Sequence, residues 1–145
     1  MWAVRVTGLP APKGSMKCIG GRGKVKHQLV EDERVGQDEW RRRVTLAGTA
    51  LALPEPLTGP VSVEVTFTLP LPRTVKPESR LWPTVHNSND LDKMLRLVLD
   101  ALTGSVFADD SQVVELHGRK AYTHTPAPDL TPQCGALIRI WCTEA

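Results

Sequence analysis

The stretch Val61-Ser62-Val63-Glu64-Val65-Thr66-Phe67-Thr68-Leu69 alternates apolar and polar residues without a break. A period of two marks a β-strand whose successive side chains point to opposite sides. Val61, Val63, Val65, Phe67 and Leu69 share one face, so the pattern predicts a strand with that face buried. Each such side chain stabilises the fold by roughly 1.5 to 3 kcal/mol when taken out of water, and the core is expected to form around it. Upstream, Trp40, Val44, Ala47 and Leu51 fall at i, i+4, i+7 and i+11, one stripe of a helix that begins near Gln37 and is ended by Pro54 and Pro56. Arg41, Arg42 and Arg43 lie mostly off that stripe, as an exposed face. Val4 and Val6, alternating with Arg5 and Thr7, predict a short opening strand that stops before Pro10 and Pro12.

Downstream, Asn87, Ser88, Asn89 and Asp90 are all residue types that begin helices. Leu91, Leu95, Val98 and Leu102 then form one stripe, and Gly104 suits the left-handed position past a helix end. A strand interrupted by Gly118 is expected over Val113–Tyr122, and a firmer last one where Ala136, Ile138, Ile140 and Cys142 share a face. Trp40, Phe67 and Trp141 are expected in the core. The order strand, helix, strand, helix, strand, strand, with no internal repeat, predicts an α+β fold: a single domain over residues 1–145, a mixed β-sheet with about two helices packed on it. A length of 145 residues fits one domain. Between the elements stand a basic glycine-rich loop, 13–27, and a proline-rich loop, 70–89, which holds Trp82. The segment from Lys24 to Val30 is too weakly periodic to count as a strand. Loops of this length are uncommon in compact domains and often functional.

Composition narrows the classes. Hydrophobic residues at 41% and charged residues at 23% are ordinary for a globular chain and exclude a disordered or collagen-like one. No apolar run approaches the roughly 18 to 20 residues that span a bilayer, and the N-terminus shows no basic-then-apolar signal pattern, so a cytoplasmic protein with no membrane partner is expected. Cys18, Cys134 and Cys142 are an odd set with no C-x-x-C pair, which suggests neither a zinc site nor a disulfide framework. The net charge of +2 hides an uneven distribution. Lys13, Lys17, Arg22, Lys24 and Lys26 form a stretch without an acid, whereas Asp90, Asp92, Asp100, Asp109, Asp110 and Glu115 crowd into a short later segment.

Asp90 and Asp92 fall at the predicted start of the second helix, where free N–H groups and the positive dipole end favour negative charge. One acid there is usually a cap; two, followed by a second pair, ask for more. A reversal at Gly104 would return Asp109 or Asp110 toward them, a tertiary matter that spacing does not settle. If three carboxylates converge, each pair about 4 Å apart repels by roughly 4 kcal/mol at an effective dielectric of about 20. A raised pKa, a neighbouring cation or a divalent metal relieves this, and hard oxygen donors select Mg²⁺, with Mn²⁺ as a possible substitute. Mg²⁺ so held keeps several waters and takes phosphate oxygens, which is the chemistry of phosphodiester hydrolysis. The basic loop supplies the phosphate contacts a DNA enzyme needs. Among the histidines only His86, close to Asp90, invites a test.

Asp90-Leu91-Asp92-Lys93-Met94-Leu95-Arg96, Asp100-Ala101-Leu102, Asp109-Asp110-Ser111-Gln112-Val113-Val114 and Lys120 beyond resemble the RusA family of Holliday junction resolvases, whose pattern runs Asp-x-Asp-Asn-x-x-Lys, Asp-Ala-Leu, Asp-Asp-x-Gln-Val, Lys. The resemblance implies a homodimeric, Mg²⁺-dependent endodeoxyribonuclease that nicks opposing strands of a four-way DNA junction. It places the essential, metal-holding acids on Asp90, Asp92 and Asp110, with Asp109 matching a further acid. Arg96 stands where the family has a lysine, and Lys93 where it has an asparagine. Arginine does not readily give up a proton, so Arg96 is left with supplying charge to the phosphate or pairing with Asp92 one turn earlier. Any proton transfer falls to Lys93 or Lys120, between which the sequence does not choose. Lys13, Lys17, Arg22, Lys24, Lys26 and Lys93 are the expected DNA contacts. The competing expectation is a branched-DNA-binding protein that does not cleave, with Lys93 and Arg96 as its sign.

Overall fold

A computed structural model describes residues 1–14, 16–19, 28–31, 36–84 and 89–144. Its elements are β1 (Trp2–Thr7), β2 (Met16–Ile19), β3 (Gln28–Glu31), α1 (Gln37–Ala50), β4 (Val61–Leu69), α2 (Leu91–Leu102), β5 (Val113–Tyr122) and β6 (Gly135–Cys142). Four strands form a sheet in the order β1-β6-β4-β5. β6 is antiparallel to both β1 and β4, while β4 and β5 are parallel, so the sheet is mixed, as expected. The parallel pair follows from α2, which carries the chain back along the sheet before β5 begins.

β4 sits where the core is built. Val61, Val63, Val65 and Phe67 are fully buried beside Ile138 and Ile140 of β6, Trp40 and Val44 of α1, and Met94, Leu97, Val98 and Leu102 of α2. The pattern predicted one buried face, but Ser62, Thr66 and Thr68 on the other face are buried too. β4 has a strand on either side, one of which, β5, supplies Glu115 Oε2 as acceptor for Ser62 Oγ at 2.7 Å, and the chain after β5 folds over its second face, where the Thr131 N–H donates to Thr68 Oγ1 at 3.1 Å. Trp40 and Phe67 are core residues as expected, whereas Trp141 is only half-buried. It alternates with Ile140, and the helix-covered face belongs to Ile138 and Ile140.

The loop expected at 13–27 is in part a strand. Met16 pairs opposite Glu31 and Ile19 opposite Gln28, so β2 and β3 form an antiparallel pair, and Gln28 to Val30 belong to it. Four-residue strands are too short for a period of two to stand out. Within 70–89 the described residues hold a single short 3₁₀ turn, Pro77–Ser79.

Two glycines explain close approaches that alternation did not announce. A Cβ on Gly118 would stand 2.5 Å from Leu95 Cδ1, so the break in β5's pattern is where α2 lies against the sheet. A Cβ on Gly135 would overlap the carbonyl oxygen of Val6, which lets β1 close onto β6.

Candidate active site at the start of the second helix

α2 begins where the sequence predicted. Asp90 is the N-cap, with extended backbone, and its carbonyl accepts from the Met94 N–H at 3.1 Å. Its carboxylate makes no capping bond. It lies 3.6 Å from Lys93 Nζ with its side chain 65% exposed. Asp92, in the first turn, is exposed and pairs with none of the described residues. Two carboxylates therefore face solvent at the positive end of the helix dipole. Arg96 is exposed one turn later and forms no ion pair with Asp92, so of its two expected roles pairing is the one not taken up.

Lys120 reaches this end of α2 from β5: its Nζ donates to the Asn89 carbonyl at 2.7 Å. Asn89 holds a left-handed backbone (φ 76°), a conformation asparagine tolerates, and its amide donates to the Pro10 carbonyl at 3.4 Å. Lys13, expected as a DNA contact, is fastened along α2. Its N–H donates to the Lys93 carbonyl at 3.0 Å and its Nζ stands 2.5 Å from Asp100. No local signal marks that pair, because its members are far apart in sequence. Lys17 lies on β2. Arg22, Lys24, Lys26 and His86 lie outside the described residues.

Asp110 is elsewhere. Gly104 does take the left-handed conformation (φ 93°) and the chain does reverse, but β5 then runs antiparallel to α2, with Gly118 against Leu95 and Lys120 at Asn89. Residues 113 to 120 span about 23 Å of strand, and α2 itself is about 18 Å long. Asp110 thus lies on the order of 20 Å from Asp90 and Asp92, at the opposite end of the helix. Among the described residues no three His, Cys, Asp or Glu side chains group as a metal site. The expected convergence of Asp90, Asp92 and Asp110 is therefore not met within one chain: the reversal after α2 returns Lys120, not Asp110, to Asp90. Two carboxylates with a neighbouring lysine fit part of a Mg²⁺ site, and no third acid joins them among the described residues.

Asp109 and Gln112 hold the Asp110 turn in place. Asp109 Oδ1 accepts from the Ser111 N–H at 2.8 Å, and the Asp109 N–H donates to Gln112 Oε1 at 2.8 Å, a reciprocal cap. Gln112 Nε2 donates to the carbonyls of Leu57 and Gly59 at 2.8 and 2.9 Å. The Ser111 N–H holds the Asp109 carboxyl below the usual carboxylate range.

On the sheet face away from the helices, a cluster that the sequence did not announce joins charges from β4, β6 and the loop between β5 and β6. Arg139 donates to both carboxylate oxygens of Asp129 at 2.6 and 2.7 Å and to Glu64 at 2.9 Å. Arg139 holds the Asp129 carboxyl below the usual range. A lowered carboxyl pKa means stability that is complete above the ordinary aspartate pKa and is lost as pH falls through the lowered one. Asp129→Asn is expected to cost about 1 kcal/mol near pH 7, since the pair is partly exposed, and the gap to wild type is expected to close in acid. Asp129 has φ 66°, which asparagine also adopts, so urea titrations across pH isolate the charge. A gap that stays constant into acid would refute the reading.

Two comparisons bear on this site. A family model described as Endodeoxyribonuclease RusA matches residues 13–130, most of the chain, and spans Lys13, Asp90, Asp92, Lys93, Arg96, Asp110 and Lys120. An uncharacterized protein of Bacillus subtilis (strain 168), YqaN, is 29% identical over 115 residues, covering 72% of this chain and 80% of that protein.

Proposed function

We propose that this chain, which belongs to the RusA family of endodeoxyribonucleases, resolves four-way (Holliday) DNA junctions by paired nicks as a Mg²⁺-dependent homodimer. The observation that carries the reading is the Asp90 carboxylate. It sits at a helix N-cap yet does no capping and faces solvent beside Asp92. That is the placement of a ligand-holding group, not of a structural cap. Asp90 and Asp92 are the donors a Mg²⁺ ion would take, with Mn²⁺ as substitute. When bound there, the ion supplies a water of lowered pKa and offsets charge on the phosphodiester. Lys120, fixed by the Asn89 carbonyl, and Arg96, exposed beside Asp92, supply positive charge to the scissile phosphate. Asp110 serves the site of the other copy, because within its own chain it lies at the far end of α2. Two symmetric sites suit two symmetric cuts. No described helix is long and apolar enough to cross a membrane.

Lys93 favours a second reading. It stands 3.6 Å from Asp90 and offsets the charge that would attract a cation, as expected of a junction-binding protein that does not cleave. A labelled synthetic four-way junction separates the two. Paired nicking with Mg²⁺, absent with EDTA, is the expected result, and Lys93→Asn is expected to keep or raise it. Tight, selective binding with no nicking in Mg²⁺ or Mn²⁺ would establish the second reading.

The basic segment is read as the grip on DNA. Replacing Lys17, Lys24 and Lys26 by glutamine is expected to weaken junction binding and to take about 0.9 off the salt slope for each phosphate that is no longer neutralised. An unchanged slope would remove these residues from the interface.

A further inference from the structure

Resting on the homodimer reading above, we propose that the open edge of β5 is the seam on which a second copy of this chain docks, the two β5 strands pairing antiparallel about a two-fold axis at Leu116. Among the described strands β5 is the last of the sheet and pairs there with β4 alone. Edges are normally blunted by short length, proline, bulges or inward charge, since an open row of N–H and C=O groups invites another strand. β5 has ten residues and no proline, and its register irregularity is confined to its start, where Val113 pairs with Val61 and Glu115 with Ser62. It instead exposes two apolar side chains, Val114 at 57% and Leu116 at 41%. Leu116 lies beside Val63, and Gly118 lies under Leu95, so these two share the helix-side face, while Val114 is the extra residue at the irregularity. Leu95 of α2 stands over Gly118, whereas Val114 and Leu116 are bare.

The register follows from self-complementarity. A sheet continued through two copies of one strand has its two-fold axis perpendicular to the sheet, residues opposite one another share a face, and the axis passes through a residue. An axis at Glu115 sets two glutamates opposite each other, which is repulsive. An axis at His117 sets Val114 against Lys120, which is already engaged at Asn89. At Leu116 the leucines meet each other, Val114 covers Gly118 of the partner subunit, and Glu115 meets His117 of the partner subunit. Only this axis covers both apolar side chains and pairs the charges. Because the two strands run antiparallel, it also directs the start of the partner subunit's β5, with Asp110 of the partner subunit just before it, toward the Lys120 end of β5, where Asp90 and Asp92 stand. The seam thereby brings the far carboxylate to each site.

Cysteine cross-linking tests the axis, in the full chain with Cys18, Cys134 and Cys142 replaced by serine. Opposed residues have Cα atoms about 4.5 to 5.5 Å apart, within disulfide reach. Under mild oxidation Leu116→Cys is expected to shift from one chain to two on a non-reducing gel. Val114→Cys, at a position still more exposed than Leu116, is expected to stay single, because the two copies of residue 114 lie about 13 Å apart along the seam. A chain that sediments as a dimer but does not cross-link at Leu116→Cys, or does so at His117→Cys instead, overturns the seam while leaving the dimer intact. A wild-type chain that is monomeric when cleaving junctions overturns both. Leu116→Arg, checked for a cooperative melt, is expected to move sedimentation from dimer to monomer, and an unmoved dimer would likewise refute the seam.

Discussion

Asp92→Asn and Asp110→Asn are each expected to lose nicking by about 10²- to 10³-fold or more, the scale seen when a group that stabilises transition-state charge is removed, and their mixture is expected to regain part of it. The expectation follows from the distance between the two acids. Asp92 is in the first turn of α2, whereas Asp110 opens the turn before β5, at the helix's other end. If each site takes Asp90 and Asp92 from one chain and the third acid from the other, a mixed dimer holds one intact site and one doubly damaged site. Random exchange of subunits makes about half of the dimers mixed, each with one working site of two, so about a quarter of wild-type nicking returns. The product differs as well: one working site nicks a junction without cutting the opposing strand. Refolding the two variants together and comparing them with each alone, on a junction labelled on two arms, reads both effects. A mixture as inactive as its parts would mean that both acids act within one chain, or that Asp110 acts by some route other than the site.

Val65→Asp is expected to prevent folding. Val65 is fully buried at the centre of the sheet, between Ile138 of β6 and Gly118 of β5. The change forfeits roughly 2 kcal/mol of apolar burial and sets an unpaired carboxylate in a dry interior, at a cost of several kcal/mol more. Against a total stability of about 5 to 15 kcal/mol, that is decisive. Leu46→Asp, on the exposed side of α1 at 59% exposure, is expected to shift stability by no more than about 0.5 kcal/mol. Circular dichroism and urea unfolding compare the two. A soluble Val65→Asp chain that melts cooperatively would contradict the placement of β4.

What could be read in the sequence was whatever the chain decides locally. β4 announced itself because a long half-apolar alternation leaves few alternatives, and α2 because its cap residues and apolar stripe agree. The burial of Ser62, Thr66 and Thr68 was not legible, since it depends on a segment more than sixty positions away in the chain, as the Thr131 to Thr68 hydrogen bond shows. The candidate site divides the same way. Asp90 and Asp92 stand together because a helix start puts them together. Lys120 joins them, and Asp110 does not, because of the direction in which β5 returns along α2, and no residue spacing carries that direction. Gly118 looked like a flaw in a strand; it marks a place where the strand lies against the helix that carries the acids.

The fastening of Lys13 and Gly14 has one more consequence. Lys13 is hydrogen-bonded to the Lys93 carbonyl, and the Gly14 N–H donates to Gln37 Oε1 at the start of α1. The positively charged arm therefore springs from a root clasped by both helices, one clasp on the very turn that bears Asp92. If the function proposed above holds, tension that a bent nucleic acid put on that segment would be delivered to this turn, so that grip and incision would share a single lever.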